Sequence, residues 1–438
     1  MSPKPNYDKA FLQQRFINFY VLGISYAVFY FSRYNLSTAH PKLKELLELP
    51  YTGYNAIIGT ALLIYGLTVF ISGPLIDKVG GKRAMLLGSG GALFSNLLFG
   101  ATYFLVEKNA ISGSHAILKY GFNLTNLISI MTFIWSLNYF FQSFGALSIV
   151  KINSAWYKKS ERGSFSGKFG SVIQLGRMLV LIICPWILYC LPWCYVFFIP
   201  ALFQGIMFFL IWQLVEEHSS RHTHPSIKDA IKAILVAPKK ETILLCVFVA
   251  VFTGMVRNGV EHQITVFFSR HFHIASENIR SYFPYQMYAV LTPFAMIAAS
   301  LLSGPSSDKY FSSRRFPVMT GAFLLTFIGL FSMMFDMRNP YVSSALLIFV
   351  MFSLQGVNNI LMGTLTTDLG GEKISGSVTG VFDGAQYIGG SAISYVIGAV
   401  LTRTNNWVYW PLILLLPTSL AFIMSTLLTK KEKAELTA

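Results

Sequence analysis

The sequence predicts an all-α polytopic membrane protein with twelve transmembrane helices. Three observations carry this. Of 438 residues, 54% are hydrophobic and only 12% charged, whereas soluble domains carry roughly a quarter charged residues. Apolar stretches of about 20 residues recur, each long enough to cross a ~30 Å hydrocarbon core as a helix. Runs such as Ile206–Leu210 and Leu412–Leu416 do not alternate, which argues against a transmembrane β-barrel, whose strands face lipid and lumen in turn.

The first span is 15–38. No short apolar region with a small-residue cleavage site precedes it, so it is expected to be retained rather than removed as a signal. Tyr26, Tyr30, Arg33 and Ser37 recur along it at i, i+4, i+7 and i+11, one polar and aromatic helix face that must look into the bundle. Span two, 53–76, ends on Gly73-Pro74-Leu75-Ile76-Asp77-Lys78, and span three is 83–106. Span four, 123–150, leaves the bilayer at Lys151, and span five, 164–190, carries Lys168 and Arg177. Arg177 reads as a side chain that snorkels. Span six is 193–215. The longest polar break follows, 216–240, rich in lysine and histidine. It reads as a solvated linker rather than a metal site. Beyond it lie 241–264 with Arg257, 282–304, 316–336, 341–366, 375–402 with Asp383 and Tyr387, and 407–429. The expected organisation is a six-helix bundle over 1–215, a linker over 216–240 and a second six-helix bundle over 241–438.

Basic residues set the orientation. With the N-terminus in the cytoplasm, 21 Lys and Arg fall in cytoplasmic segments and 8 on the other side. Both termini are therefore expected in the cytoplasm. The net charge of +15 follows from this bias. It is spread over separate loops, so it predicts no nucleic-acid partner. Cys184, Cys190, Cys194 and Cys246 show no metal spacing and read as small core hydrophobes. The sequence predicts no cofactor, no metal and no catalytic residue, because no nucleophile–base pair or phosphate loop is present.

The halves repeat each other. Gly73-Pro74…Asp77-Lys78 is answered by Gly304-Pro305…Asp308-Lys309, and Arg33 in span one by Arg257 in span seven. Internal repeats of this kind mark transporters with a site between the halves. Asp77, Lys78, Asp308 and Lys309 are assigned to gating contacts that break and reform; either aspartate can cap a helix or pair with a basic residue. Ionisable groups inside the membrane are functional candidates by default. Arg33 and Arg257, at matching points of two halves, should face each other across a central cavity. They repel unless a dianion lies between them, and phosphate suits the guanidinium fork. The alternative is that each is paired structurally, Arg257 with Glu261 or Asp383. Asp383 is expected to pair with Lys168 or Arg257, with a proton site or a substrate hydroxyl acceptor as other roles.

The doubled Gly-Pro-x-x-Asp-Lys loop resembles the loop motif of the major facilitator superfamily. Tyr30-Phe31-Ser32-Arg33-Tyr34-Asn35, Phe141-Gln142 with Gly145, Trp156 and Glu161-Arg162-Gly163, Arg257-Asn258-Gly259 and Tyr387-Ile388-Gly389-Gly390-Ser391 resemble the organophosphate:phosphate antiporter family. The resemblance implies a major-facilitator fold of two pseudo-symmetric six-helix bundles. It implies phosphate binding by Arg33 and Arg257, and a cavity lined by Tyr26, Tyr30, Tyr65 and Tyr387. Where glycerol-phosphate carriers have a lysine in span two and a histidine in span five, this chain has Val69 and Ile173. The acidic partners expected in spans seven and eight fall at His262 and Gln286. Lys168 is the candidate for the missing cation.

The reading is a secondary transporter of a phosphorylated metabolite, a sugar or glycerol phosphate, exchanged for inorganic phosphate by alternating access. It is expected in a bacterial inner membrane, acting as a monomer with the lipid bilayer as its surroundings. The alternatives are a proton-coupled carrier of another organic anion and a non-transporting sensor of phosphosugars.

Overall fold

The computed structural model describes residues 8–110, 124–157, 162–217 and 239–437. Thirteen helices are labelled here in chain order. The first six are α1 (Lys9–Leu47), α2 (Tyr51–Val79), α3 (Gly81–Ala110), α4 (Leu124–Trp156), α5 (Arg162–Cys190) and α6 (Tyr195–Leu214). After the linker come α7 (Lys240–Glu261), the short α8 (Ile264–His271), α9 (Phe283–Phe311), α10 (Phe316–Met333) and α11 (Pro340–Asn359). A single π-helical turn, Ile360–Thr364, joins α11 to α12 (Leu365–Thr404), and α13 (Tyr409–Thr437) closes the chain.

Eleven of these helices are long and apolar enough to cross a membrane. The twelfth span is α1. Its polar stripe lowers its hydropathy, yet it is 39 residues long, and twenty of them are buried. Large apolar side chains such as Phe16, Phe133, Trp212 and Phe335 stand exposed around the outside, as lipid-facing surface does. Of the cysteines, Cys184, Cys194 and Cys246 are buried as expected of core hydrophobes, whereas Cys190 is exposed at the end of α5.

Within the first group of helices, α1 packs on α5 and α6, and α4 on α2 and α3. Within the second, α12 packs on α7, α9 on α11, and α10 on α11 and α13. The groups meet along α2–α12 and α5–α9, with α8 laid against α1. Small residues permit these approaches. A Cβ on Gly66 would sit 2.9 Å from the Gly384 carbonyl oxygen across the α2–α12 contact. A Cβ on Gly254 would sit 1.9 Å from the Gln386 carbonyl oxygen, so α7 and α12 touch backbone to backbone.

The contact between groups is lopsided along the membrane normal. Hydrogen bonds joining them cluster at the end away from the termini. Tyr54 Oη donates to the His262 carbonyl (2.7 Å), Gln263 Nε2 to Asn55 Oδ1 (2.6 Å), Arg270 to the Pro41 carbonyl (3.2 Å) and Ser276 Oγ to Glu45 (2.8 Å). At the end that carries the termini, a Cβ placed on Gly73, Gly170, Gly304, Gly363 or Gly380 would meet nothing within 4 Å. Among the described residues, the hydrogen bonds that join the two groups gather toward the far face.

Candidate substrate site and family

The stripe on α1 is buried, as its spacing predicts. Arg33 is 1% exposed, and Tyr26, Tyr30 and Ser37 are buried with it. Arg33 Nε donates to Gln142 Oε1 on α4, and Nη1 to Tyr387 Oη on α12, both at 2.8 Å. Its guanidinium carbon lies 4.8 Å from the Tyr65 ring centre and 5.2 Å from that of Tyr30. Nη2 has no partner. Gln142 is held in turn by Asn138, to whose Oδ1 its Nε2 donates (3.0 Å). The Phe-Gln pair of α4 is thereby explained: the glutamine aims the arginine.

Arg257 on α7 reaches the same place from the other side. It is 8% exposed, and its guanidinium lies 5.9 Å from the Tyr387 ring centre. Nη1 donates to Asn358 Oδ1 (3.3 Å), and Nε has no partner. Tyr387, whose ring is 4.0 Å from that of Tyr65, therefore lies between the two arginines. Neither arginine forms an ion pair with a carboxylate among the described residues.

The carboxylate expected to neutralise Arg257 is taken by another partner. Glu261, one turn further along α7, forms a 2.5 Å ion pair with Arg177 of α5 and accepts a 2.5 Å hydrogen bond from Tyr34 Oη. This corrects two expectations. Arg177 does not snorkel; it crosses between the helix groups and lies 4.9 Å from the Tyr30 ring centre. Glu261, beside the His262 position, supplies the acidic member of the network. His262 instead shares a 3.0 Å hydrogen bond with Ser37 Oγ through Nδ1. A cavity of about 40 Å³ lies beside the Arg177–Glu261 pair, lined also by Gln174, Tyr288 and Thr292.

Asp383 is half-buried one turn before Tyr387 and makes no ion pair with Arg257; among the described residues it has no hydrogen-bond partner. The Lys168 and Asp77 side chains lie outside the described residues, so their assigned roles carry no geometry. At the second loop repeat, Asp308 accepts a 2.7 Å ion pair from Arg315, which also holds Asp368 at 2.9 Å. Asp308 does not cap α10, whose N-cap position is Arg315. Lys309 points its ammonium at the Tyr310 ring, 5.5 Å away, and Lys78 is exposed. In the first half the cap is made by a residue outside the motif. Glu217 accepts from the backbone N–H groups of Gly81 (2.7 Å) and Lys82 (2.8 Å) at the start of α3, where a carboxylate complements the helix dipole.

Known proteins resemble this chain in fold and in sequence. The fold matches a solved structure described as a bacterial homolog to the human lysosomal transporter Spinster in an inward-facing, unoccupied conformation. The TM-score is 0.70 at 10% identity, over 97% of this chain and 99% of that one. In sequence, the chain is 25% identical over 425 residues to a glycerol-3-phosphate transporter of Bacillus subtilis (strain 168), covering 91% of this chain and 89% of that protein. It is 22% identical over 436 residues to a probable hexose phosphate transport protein of Chlamydia pneumoniae (93% and 89%). It is 23% identical over 415 residues to the membrane sensor protein UhpC of Escherichia coli (strain K12) (88% and 85%). The sequence profile of the Major Facilitator Superfamily matches residues 22–394. The chain belongs to the Major Facilitator Superfamily, and its relatives there are those of the organophosphate:phosphate antiporter family.

Proposed function

We propose that this protein carries a phosphorylated small metabolite, a glycerol or sugar phosphate, across a bacterial inner membrane in exchange for inorganic phosphate. One observation carries the reading. Two buried guanidinium groups from opposite helix groups converge on Tyr387, each with an unpartnered N–H, while the nearby carboxylate is engaged by Arg177. A phosphoryl dianion accepts several charge-assisted hydrogen bonds at once, and two arginine forks supply them. Tyr26, Tyr30 and Tyr65 wall the site; their rings pack on the cations, and their hydroxyls suit a sugar or glycerol.

Alternating access follows from the same charges. Empty, the site holds like charges in a low dielectric, which opposes the closure needed for reorientation. Loaded with either anion, the groups can rock about the α2–α12 and α5–α9 contacts, and obligatory exchange results. Opening of the far face would break the bonds to Asn55, Pro41 and Glu45. The face of the termini would then close through the doubled loop, where Asp77 and Asp308 act as gating residues with Lys78 and Lys309. The basic-loop bias supports placing both termini in the cytoplasm, which makes the hydrogen-bonded far face the outer one. The division into bundles at 1–215 and 241–438 and action as a monomer belong to this proposal.

Asp383 favours a second reading. A half-buried carboxylate with no ion pair among the described residues suits a proton-coupled carrier. Proteoliposomes separate the two. Labelled phosphate should enter only against internal phosphate or its esters, and Arg33→Lys and Arg257→Lys should each abolish exchange, since lysine keeps the charge and loses the fork. Uptake driven by a pH gradient into phosphate-free vesicles supports the second reading and refutes the first.

A further inference from the structure

The far face, closed between the two helix groups, holds a second basic pocket remote from Arg33. Its volume is about 340 Å³, several times the ~30 Å³ share of one water in the liquid. Three parts of the chain build it. Lys44 and Tyr51 come from the end of α1 and the start of α2, Arg270, His271 and His273 from α8 and its exit, and Asn406 and Trp407 from the α12–α13 turn.

Among the described residues, no carboxylate lines this pocket. The nearest in sequence, Glu45, is turned to Lys42 (4.0 Å) and Ser276 (2.8 Å). Lys44 rests its ammonium on the Tyr51 ring, 3.1 Å from the centre. Arg270 donates one N–H to the Pro41 carbonyl, and its buried Nε has no partner. His271 is already spent on the Met337 carbonyl (3.0 Å). Two half-buried cations thus repel each other, with no carboxylate among the described lining residues. Burial and the neighbouring Arg270 push the Lys44 ammonium down to about 8. That position, beyond the apolar span of α1, is one where a bound anion would relieve both groups.

We infer that Lys44 and Arg270 form a second anion site, for a phosphoryl group presented by inorganic phosphate, a phosphate ester or a lipid headgroup, on the face opposite the termini. The site stands on its own charges and does not depend on the reading of Arg33 and Arg257. An anion there bridges elements of both helix groups, so it also favours the closed far face.

The test is binding of radiolabelled inorganic phosphate to the full chain in phosphatidylcholine nanodiscs. Two phosphates per chain are expected. Lys44→Gln and Arg270→Gln should each lose one, with at least tenfold weaker binding, and keep the other; Arg33→Gln should do the reverse. Retention of the Arg33-dependent phosphate shows that the variants fold. Displacement of the Lys44-dependent phosphate by phosphatidylglycerol nanodiscs supports the inference and identifies a lipid as the competing source; no displacement supports it with a soluble anion as the source. Binding abolished by Lys44→Gln and Arg270→Gln but untouched by Arg33→Gln upholds this site and overturns the central one. Phosphate binding that both pocket variants leave unchanged in number and affinity, with no effect of phosphatidylglycerol, overturns the inference.

Discussion

Removing Arg177 should disable the proposed phosphate site, which Arg177 itself does not form. In the structure its guanidinium holds Glu261 at 2.5 Å. Glu261 lies four residues from Arg257 on one face of α7, where side chains i and i+4 sit ~6 Å apart. Arg177→Gln leaves Glu261 without its counter-ion, and the nearest free cation on the same helix face is Arg257. A unit charge ~6 Å away at an effective dielectric constant of ~20 is worth about 3 kcal/mol. That corresponds to roughly 100-fold in Kd for an anion held by Arg257. The reverse change, Glu261→Gln, leaves Arg177 as an added positive charge and should hold or tighten anion binding. The double variant restores charge neutrality and should bind within a few-fold of the wild type, although both ion-pair partners are gone. The assay is phosphate binding in nanodiscs, alongside phosphate exchange in proteoliposomes. A purely structural ion pair predicts that the double variant is as weak as Arg177→Gln, or weaker. That result would refute the electrostatic account while leaving the phosphate site itself in place.

Four further outcomes are expected. Gln142→Leu keeps shape but removes the acceptor that aims Arg33, and should cost ~1.5–3 kcal/mol, the range for a hydrogen bond to a charged group; it is read as a higher KM for exchange with the fold intact by thermal melting. Glu217→Gln weakens the cap of α3 and should lower stability by about 1 kcal/mol, measured as a fall in Tm. Gly254→Leu forces side-chain atoms into the α12 backbone and should destabilise by ~1–3 kcal/mol or more, or prevent accumulation of folded protein. Raising the pH from 7 to 9 should weaken the Lys44-dependent phosphate while inorganic phosphate becomes fully dianionic. Burial and the neighbouring Arg270 lower the Lys44 pKa to about 8; the groups that face it are His40 on α1, Tyr51 on α2, Arg270 and His271 on α8, and His273. Binding that strengthens with pH at this site would contradict the assignment.

Much of the fold was legible because hydropathy reports spans directly. Among the long helices, only α1 falls short of the length-and-hydropathy test, and for the reason that makes it informative: Ser25, Tyr26, Tyr30, Arg33 and Ser37 dilute its apolar content and mark its inward face. That Arg33 and Arg257 lie near one another by Tyr387 was legible from the repeat, since pseudo-symmetry brings matching positions together. The cap on α3 was not. Glu217, more than 130 residues away, caps Gly81 and Lys82, while the Asp77 side chain lies outside the described residues. Capping geometry is set by where the chain leaves α6, and spacing within a motif is blind to that.

Arg177 shows the deeper limit. Read alone on an apolar helix, a lone arginine two turns from Lys168 looks like a side chain reaching for the interface. Its role is decided by a carboxylate in the other helix group, and no local periodicity links α5 to α7. One signal was present. Glu261 sits inside a span, four residues from an arginine assigned to substrate, and a free carboxylate there would cancel the clamp it borders. A working anion site next to Glu261 requires a second cation to occupy it, and the candidates within the membrane were only Lys168 and Arg177. Charge balance, applied to the membrane interior as a whole rather than helix by helix, would have reduced that choice to two before any coordinates. The 2.5 Å pair between Arg177 and Glu261 makes that choice: Arg177 holds the carboxylate, and Arg257 forms no ion pair among the described residues, as the proposed anion site requires.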